Sequence, residues 1–209
     1  MGILESIIAL DERAFAWVNG HGLSYLDGLL LFVSSPWAAL IVVVLAVRSV
    51  WKAWSWAAAI RLVSFSMLVF ILADALSVYA FKEVFERLRP CHTPHLLPQL
   101  RLVAKSCGGS YGFVSSHATN TAAFAAVLVA ARAPRYAQGI AIVFVLLTLW
   151  SRVHLGVHYP GDVLCGALVG MILGRTLTQW VLAQGWIDQE KATKPGGIRS
   201  AQDKRVKNE

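Results

Sequence analysis

The chain has 209 residues, of which 56% are hydrophobic and only 15% are charged, and its formal net charge is +7. A soluble globular domain carries about 25% charged residues, so this composition argues against one and indicates a polytopic α-helical membrane protein of one domain. The positive charge does not indicate nucleic-acid binding, because the basic residues lie in short loops and in the C-terminal tail.

The N-terminal 27 residues precede the apolar spans. Residues 2–18 combine apolar and charged positions in a pattern that predicts an amphipathic helix lying in the membrane interface. Asn19-Gly20 then marks a turn. An alternative is a six-span arrangement in which residues 2–18 belong to a further membrane helix.

Five apolar spans are predicted between residues 28 and 186, which form the membrane domain. They cover residues 28–47, 62–81, 116–131, 136–151 and 160 to about 186. The last span carries Gly166, Gly170 and Gly174, a doubled small-xxx-small stripe that predicts close packing on a neighbouring helix. Residues 187–209 are polar and basic, which predicts a disordered tail.

The distribution of Lys and Arg predicts the orientation of these spans. Twelve of the 19 basic residues fall on the side of the C-terminal tail, and seven fall on the other side. The positive-inside rule therefore predicts a cytoplasmic C-terminus and an outward-facing N-terminus. Cys91 and Cys107 share one outward loop, where an oxidising compartment would allow a disulfide. Cys165 lies in an apolar segment and is interpreted as a packing residue.

Three polar clusters fall on the same predicted side of the membrane. In the first, Lys82 and Arg89 are seven residues apart, so a helix continuing to Pro90 would project both from one face. In the second, Ser115-Ser116-His117 leads into a span, where backbone N–H groups and hydroxyls can bind an anion. Each cluster also has a structural interpretation: a snorkelling basic pair for the first, and a helix cap with an interfacial histidine for the second.

The third cluster lies between the last two spans. His158 and Asp162 are one helical turn apart, so the carboxylate can orient one ring nitrogen and leave the other free as a nucleophile. Arg152 adds a planar fork of donors suited to phosphate. A histidine–aspartate contact that fixes a helix start is the alternative, but convergence of all three clusters favours an anion site.

These residues resemble the signature of the type 2 phosphatidic acid phosphatase superfamily, whose members include bacterial lipid phosphatases and the soluble vanadium haloperoxidases. The matching elements are Lys82-x6-Arg89-Pro90, Ser115-Ser116-His117 and Ser151-Arg152-x5-His158-x3-Asp162. One departure is visible, since the second motif usually reads Pro-Ser-Gly-His and this chain has Val114-Ser115-Ser116-His117. The Ser116 N–H must still reach the phosphate.

The resemblance implies an all-α membrane enzyme that works without a cofactor or a metal ion. His158, oriented by Asp162, would be the nucleophile, and His117 would be the general acid and then the base. The implied phosphate ligands are Lys82, Arg89, Ser115, Ser116 and Arg152. The implied substrate is a lipid phosphate from the bilayer, with undecaprenyl diphosphate first and phosphatidylglycerophosphate, phosphatidic acid or lipid A phosphate as alternatives.

A bacterial inner-membrane protein is expected, with its site facing the periplasm and no obligate protein partner. A transporter or channel is a remote alternative from a second class, because ionisable residues in membranes also form proton relays. The polar residues gather at one boundary, which disfavours it. The predicted spans disfavour a haloperoxidase-like enzyme. Asp74, inside the second span, either orients Lys82 or pairs with a neighbouring helix.

Overall fold

A computed structural model of the protein describes residues 2–185. Within this range the chain is helical, and its one isolated β-bridge joins Leu88 to Tyr111. The α-helices are α1 (Ile3–Gly20), α2 (Asp27–Val33), α3 (Pro36–Ala53), α4 (Trp56–Ala75), α5 (Glu83–Phe85), α6 (Ser116–Ala130), α7 (Arg135–His154) and α8 (Pro160–Ala183). A π-helical segment, Leu76–Lys82, joins α4 to α5 without a break. The predicted disordered tail, residues 187–209, lies outside the described residues.

Four helices in the described range are long and apolar enough to cross a membrane. They are Pro36–Ala53, the continuous helix Trp56–Phe85, Arg135–His154 and Pro160–Ala183. The third predicted span, α6, has only 15 residues and lies inside the bundle, with more than half of them buried. The structure therefore supports a membrane-spanning helical bundle with four such spans, and the count of five stays a prediction.

The first predicted span, residues 28–47, has the wrong bounds. The chain breaks between α2 and α3 at Ser35-Pro36, because Pro36 has no N–H to continue a helix and holds the preceding residue in an extended conformation. The Ser35 side chain caps the new helix by accepting a hydrogen bond from the Ala38 N–H at 3.4 Å. The span that begins there runs to Ala53 instead of residue 47.

The glycine stripe of α8 packs directly against the backbone of α6. A Cβ atom at Gly166 would lie 2.8 Å from the Ser115 carbonyl oxygen, and one at Gly170 would overlap the Thr119 carbonyl oxygen. Only glycine allows this approach, so the predicted close packing is confirmed. The contact also brings the start of α6 next to the start of α8, where the Ser115 N–H donates to the Asp162 carbonyl at 3.0 Å.

The N-terminal helix α1 docks on the same end of the bundle. Phe15 is buried and its ring lies 5.5 Å from that of Tyr159, edge to face. Its other side exposes large apolar residues: Ile3, Leu4, Ile7, Leu10 and Trp17. A helix with one docked side and one apolar exposed side suits a membrane surface, but an interfacial position stays a prediction.

Two connections meet at this end of the bundle and form the surroundings of the predicted anion site. Residues 86–115 join α5 to α6, and residues 155–159 join α7 to α8. The backbone N–H of Val103 donates to the Leu155 carbonyl at 3.3 Å, which ties the long connection to the short one. All three polar clusters therefore lie at one end, as their positions in the sequence predict.

Candidate active site

His158 and Asp162 form a buried pair at the start of α8. His158 is 1% exposed and Asp162 is 0% exposed. The His158 Nδ1 atom lies 3.3 Å from Asp162 Oδ2, and the same oxygen accepts the Tyr159 N–H at 3.0 Å. This arrangement suits a ring that carries its proton on Nδ1 and keeps the lone pair of Nε2 available.

The Nε2 atom of His158 points towards a cation. It lies 3.1 Å from Arg89 Nη1, which donates to it. Burial, followed by the positive charges of Arg89 and Arg152, lowers the pKa of His158 well below its ordinary value of 6.5. The imidazole is therefore neutral at pH 7, which is the state that a nucleophilic nitrogen requires.

Arg89 reaches this position by a route that the sequence did not predict. Lys82 and Arg89 were expected on one helix face, and this is wrong: the helix ends at Phe85, and Glu86 adopts a left-handed conformation with φ of 47°. The chain then runs extended, and the Leu88–Tyr111 bridge fixes it. Arg89 Nε donates to the Tyr111 carbonyl at 3.2 Å. The position of the guanidinium is therefore fixed by a loop and not by a helix.

Lys82 is held by Ser116, which is hydrogen-bonded in turn to Ser77. Its ammonium donates to Ser116 Oγ at 2.5 Å, and Ser116 Oγ lies 2.6 Å from Ser77 Oγ. Ser77 donates in turn to the Asp74 carbonyl at 2.8 Å. Each hydroxyl has one hydrogen, and that of Ser77 is used on the Asp74 carbonyl. Ser116 must therefore donate to Ser77, and its oxygen accepts from the Lys82 ammonium. The residue that departs from the family pattern therefore contacts Lys82.

Asp74 contacts a neighbouring helix. The Asn120 amide on α6 donates to Asp74 Oδ1 at 3.1 Å, which agrees with the interpretation of a residue paired between helices. Asp74 is also within electrostatic range of Lys82. Asp74 thus links α4 to α6 near the Lys82 ammonium.

The remaining predicted residues complete the cluster. Lys82, Arg89 and Arg152 all lie within electrostatic range of both His158 and His117. His117, in the first turn of α6, is exposed, whereas His158 is buried. The cluster therefore contains one buried imidazole and one more accessible imidazole, a combination that suits acid–base chemistry on a bound group.

Two donors of this cluster lack partners. Among the described residues, the hydroxyl of Ser115 and the Nε atom of Arg152 are buried side-chain polar atoms without a hydrogen bond. Buried polar groups in proteins are nearly always paired, so their unsatisfied capacity marks a place where a polar ligand gains hydrogen bonds. Because three cations lie nearby, an anion is the kind of ligand that this place suits.

Three residues that support Asp162 were not predicted from the sequence: Arg87, Gly112 and Asp11. Arg87 donates to Asp162 Oδ1 at 2.9 Å and to Asp11 Oδ2 at 2.7 Å. Gly112 packs so closely that a Cβ atom there would lie 3.0 Å from Asp162 Oδ2. Arg87 could have been found as a third basic residue within the first cluster. The role of Asp11 could not be predicted from a local sequence pattern, because its partners lie 76 and 150 residues away.

Two of the cysteines and some of the histidines outside the motifs have structural partners. Cys91 and Cys107 form a disulfide with Cα atoms 6.2 Å apart, in agreement with the predicted pairing. His92 lies within 4.8 Å of both sulfur atoms, a grouping that the sequence spacing did not suggest. Because disulfide sulfurs are not thiolates, the three do not form a metal site in this state. The His154 Nε2 atom lies 2.8 Å from Asp27 Oδ1.

Comparison with known proteins agrees with this geometry. The model of the PAP2 superfamily matches residues 63–186. A lipid A 4'-phosphatase of Porphyromonas gingivalis is 29% identical over 171 residues, covering 82% of this chain and 72% of that protein. An undecaprenyl-diphosphatase of Sulfolobus acidocaldarius is 28% identical over 174 residues, covering 79% and 76%.

A solved structure shares the fold. It is described as the first transmembrane PAP2 type phosphatidylglycerolphosphate phosphatase, from Bacillus subtilis, with a TM-score of 0.62, 23% identity and coverage of 86% of this chain and 87% of that one. The resemblance drawn from the motifs is thereby confirmed, because the family match contains the motif residues from Lys82 to Asp162. The chain belongs to the PAP2 superfamily and is a membrane phosphatase.

Proposed function

We propose that the protein removes phosphate from a membrane lipid through a phosphohistidine formed on His158, without a metal ion. The buried His158–Asp162 pair beside Arg89 is the observation that carries the proposal. In this pair a neutral, oriented imidazole lies next to a guanidinium, which supports nucleophilic attack on a phosphate bound there. The family match supports the phosphatase class, and the mechanism follows from the side chains at the site.

In the first step, His158 Nε2 attacks phosphorus in line with the oxygen that links it to the lipid. The N–P bond forms as the P–O bond breaks, and His117 donates a proton to the departing oxygen. Equatorial charge is neutralised by donors that surround the nucleophile. They are Lys82, Arg89, Arg152, the Ser115 hydroxyl and the Ser116 N–H.

In the second step, the phosphohistidine is hydrolysed. His117, now neutral, takes a proton from water, and the oxygen of that water attacks phosphorus. The N–P bond breaks and returns the electron pair to Nε2 of His158. Asp162 keeps the ring in one orientation through both steps because it stays bonded to Nδ1.

The charges at the site explain why a metal ion is not needed. Mg²⁺ binds through carboxylates and phosphate oxygens, and it neutralises charge during phosphoryl transfer. Here Asp162 is already engaged by Arg87 and the Tyr159 N–H. Three cations supply the positive charge instead, within electrostatic range of His158.

The substrate class is a lipid phosphate or diphosphate. Undecaprenyl diphosphate and lipid A 4'-phosphate are the first candidates, since two relatives carry those activities in their names. Phosphatidylglycerophosphate and phosphatidic acid are the others. A bacterial inner membrane with the site facing the periplasm is proposed, and the Cys91–Cys107 disulfide beside the site supports an oxidising compartment.

The test is phosphate release from a panel of these four lipids by the purified protein in detergent, with and without excess chelator. We expect release from at least one lipid at a rate that chelator leaves unchanged. Loss of activity in chelator that Mg²⁺ restores would refute the metal-free mechanism. No release from any lipid, by protein that still unfolds cooperatively, would refute the proposed function.

A further inference from the structure

The two carboxylate oxygens of Asp162 have different partners. Oδ2 faces His158 and the Tyr159 N–H, whereas Oδ1 accepts from Arg87 Nη1 at 2.9 Å. Among the described residues, Arg87 forms a salt bridge to Asp162, whereas the neutral His158 is hydrogen-bonded to it. A fully buried carboxylate needs such compensation, so Arg87 belongs to the surroundings that keep Asp162 charged.

The same guanidinium reaches the N-terminal helix. Arg87 Nη2 donates to Asp11 Oδ2 at 2.7 Å, and its plane lies over the Tyr159 ring with Cζ 4.1 Å from the centroid. The other Asp11 oxygen, Oδ1, accepts the Gly161 N–H at 2.7 Å. Asp11 therefore holds both Arg87 and the first turn of α8, directly before Asp162.

Negative and positive groups alternate from Asp11 through Arg87 to Asp162, and this alternation affects the charge that His158 experiences. A single arginine at Asp162 would offset the negative charge that stabilises the Nδ1–H of His158. Asp11 balances that arginine, so Asp162 retains its effect on the imidazole. The glycine at position 161 allows this contact, because a Cβ atom there would lie 2.7 Å from Asp11 Oδ2.

We propose that Asp11, acting through Arg87 and the Gly161 N–H, is a positioning residue for the His158–Asp162 pair. Helix α1 then contributes to the active site and is more than a membrane-surface attachment. The inference rests on the proposed phosphatase function and adds a residue from outside the three motifs. It applies to the chemical step, since the hydrogen bonds of Asp11 go to Arg87 and the Gly161 N–H and not to Lys82, Arg89 or Arg152.

Helix α1 has docking contacts besides those of Asp11. Asp11, Phe15 and Asn19 are spaced by four residues and lie on one side of the helix. Phe15 packs on Tyr159, and the Asn19 side chain donates to the carbonyls of Arg101 and His154 at 2.9 and 3.0 Å. With both contacts intact, Asp11→Asn removes the charge while α1 stays in place.

The experiment compares Asp11→Asn with Glu12→Gln, which removes the neighbouring carboxylate of the same helix. Glu12 pairs with the exposed His95 and not with Arg87. We expect Asp11→Asn to lower kcat about tenfold while the inhibition constant of inorganic phosphate changes less than about twofold. Glu12→Gln is expected to retain kcat.

A double-mutant cycle shows whether Asp11 acts through Arg87. In an Arg87→Gln background, adding Asp11→Asn should lower kcat by less than about twofold, because the link is already broken. A full additional tenfold loss there would overturn the proposal, as would an unchanged kcat in folded Asp11→Asn protein. If Asp11→Asn does not unfold cooperatively, Arg87→Gln is measured in its place. The expected result is the same: a lower kcat with a nearly unchanged inhibition constant of inorganic phosphate.

Failure of this inference is separate from failure of the proposed function. If the unmodified protein releases phosphate but Asp11→Asn matches it, only the role of Asp11 is refuted. If the unmodified protein releases none from the lipid panel, the proposed function is refuted and the cycle is not interpretable as catalysis. The lipid panel is therefore measured first on the full chain.

Discussion

The Nε2 atom of His158 and the Nη1 atom of Arg89 lie 3.1 Å apart in the interior of the protein. The proposed nucleophilic nitrogen and a proposed phosphate-binding donor therefore meet at one point, although they come from loops 69 residues apart. A phosphate that displaces this contact would gain the guanidinium as a ligand and face Nε2 at once. Binding and alignment for attack are thus the same event.

This relationship predicts a specific loss in Arg89→Lys. Lysine offers a point charge without the planar fork, so the variant should bind orthovanadate, a trigonal-bipyramidal phosphate analogue, at least about tenfold more weakly. Inhibition of lipid hydrolysis by vanadate measures this. Arg48→Lys, an exposed arginine in α3, is the matched control and should leave inhibition unchanged. Equal inhibition of all three proteins would contradict a role for the guanidinium fork.

The depressed pKa of His158 predicts the pH dependence of enzyme phosphorylation. Burial and neighbouring cations keep the ring neutral in the folded protein at pH values where a free histidine is protonated. With p-nitrophenyl phosphate, whose leaving group needs no proton, the rate of the nitrophenolate burst should stay level from pH 8 down to 6.5. A fall of that rate centred at or above pH 6.5 would show that the nucleophile titrates normally.

The same pKa shift has a consequence for stability, and its sign is fixed. The unfolded chain binds a proton at His158 below about pH 6.5, whereas the folded chain does not until lower pH. The unfolded state therefore binds more protons in this window, and the contribution of His158 to stability is lost as the pH falls through it. The pH dependence from His158 fades as the pH rises past the ordinary pKa of 6.5, because both states are then deprotonated.

Much of this site could be predicted because its motifs are local in sequence. His158 and Asp162 are separated by one helical turn, and Ser115 to His117 start a helix, so short-range spacing already determines their geometry. Arg89 was predicted as a phosphate ligand, but its placement was not, because the left-handed Glu86 and the bridge to Tyr111 replace the expected helix. Long-range loop pairing leaves no periodic signal in the chain.

The residues that support the site were harder to predict for the same reason. Asp11 meets Gly161 across 150 residues, and Ser77 meets Ser116 across 39. The π-helical segment that contains Ser77 turns it towards α6, and hydrophobic periodicity does not reveal such a segment. Supporting contacts depend on the packing of whole helices, and no short stretch of sequence contains that information.

The packing of α8 on α6 predicts a stability difference between two glycine substitutions. In Gly170→Ala the new methyl group would overlap the Thr119 carbonyl, which should destabilise the protein by about 1–3 kcal/mol. Gly139→Ala, in α7, meets nothing within 4 Å and should be neutral or stabilising. Thermal unfolding in detergent compares them. A Gly170→Ala protein as stable as Gly139→Ala would contradict the direct backbone contact.

The disulfide predicts a pattern of thiol reactivity. Cys91 and Cys107 lie 16 residues apart with Cα atoms 6.2 Å apart, within the range that a disulfide allows, and closing such a loop contributes about 3 kcal/mol. Protein purified from native membranes without reductant should be alkylated only at Cys165, which is free. Mass spectrometry that finds all three cysteines alkylated would refute the pairing.

The two imidazoles predict different kinetic defects when each is removed. His158→Ala should abolish turnover of every substrate, because the nitrogen proposed to attack phosphorus is lost. The importance of His117 should depend on the leaving group, since general acid catalysis contributes roughly 10²–10⁴-fold and is needed most by a lipid alkoxide. His117→Ala should therefore hydrolyse lipid phosphate very slowly and still be phosphorylated by p-nitrophenyl phosphate.

A burst measurement separates the two roles of His117. Because the same imidazole would activate water in the second step, the phosphohistidine should accumulate in His117→Ala, with a burst of about one nitrophenolate per active site. His158→Ala should give no burst, because no acceptor nitrogen remains at that position. His95→Ala is the control, since His95 is exposed and pairs with Glu12 away from the cluster. Equal loss of the burst in folded His117→Ala and His158→Ala would show that the roles are misassigned.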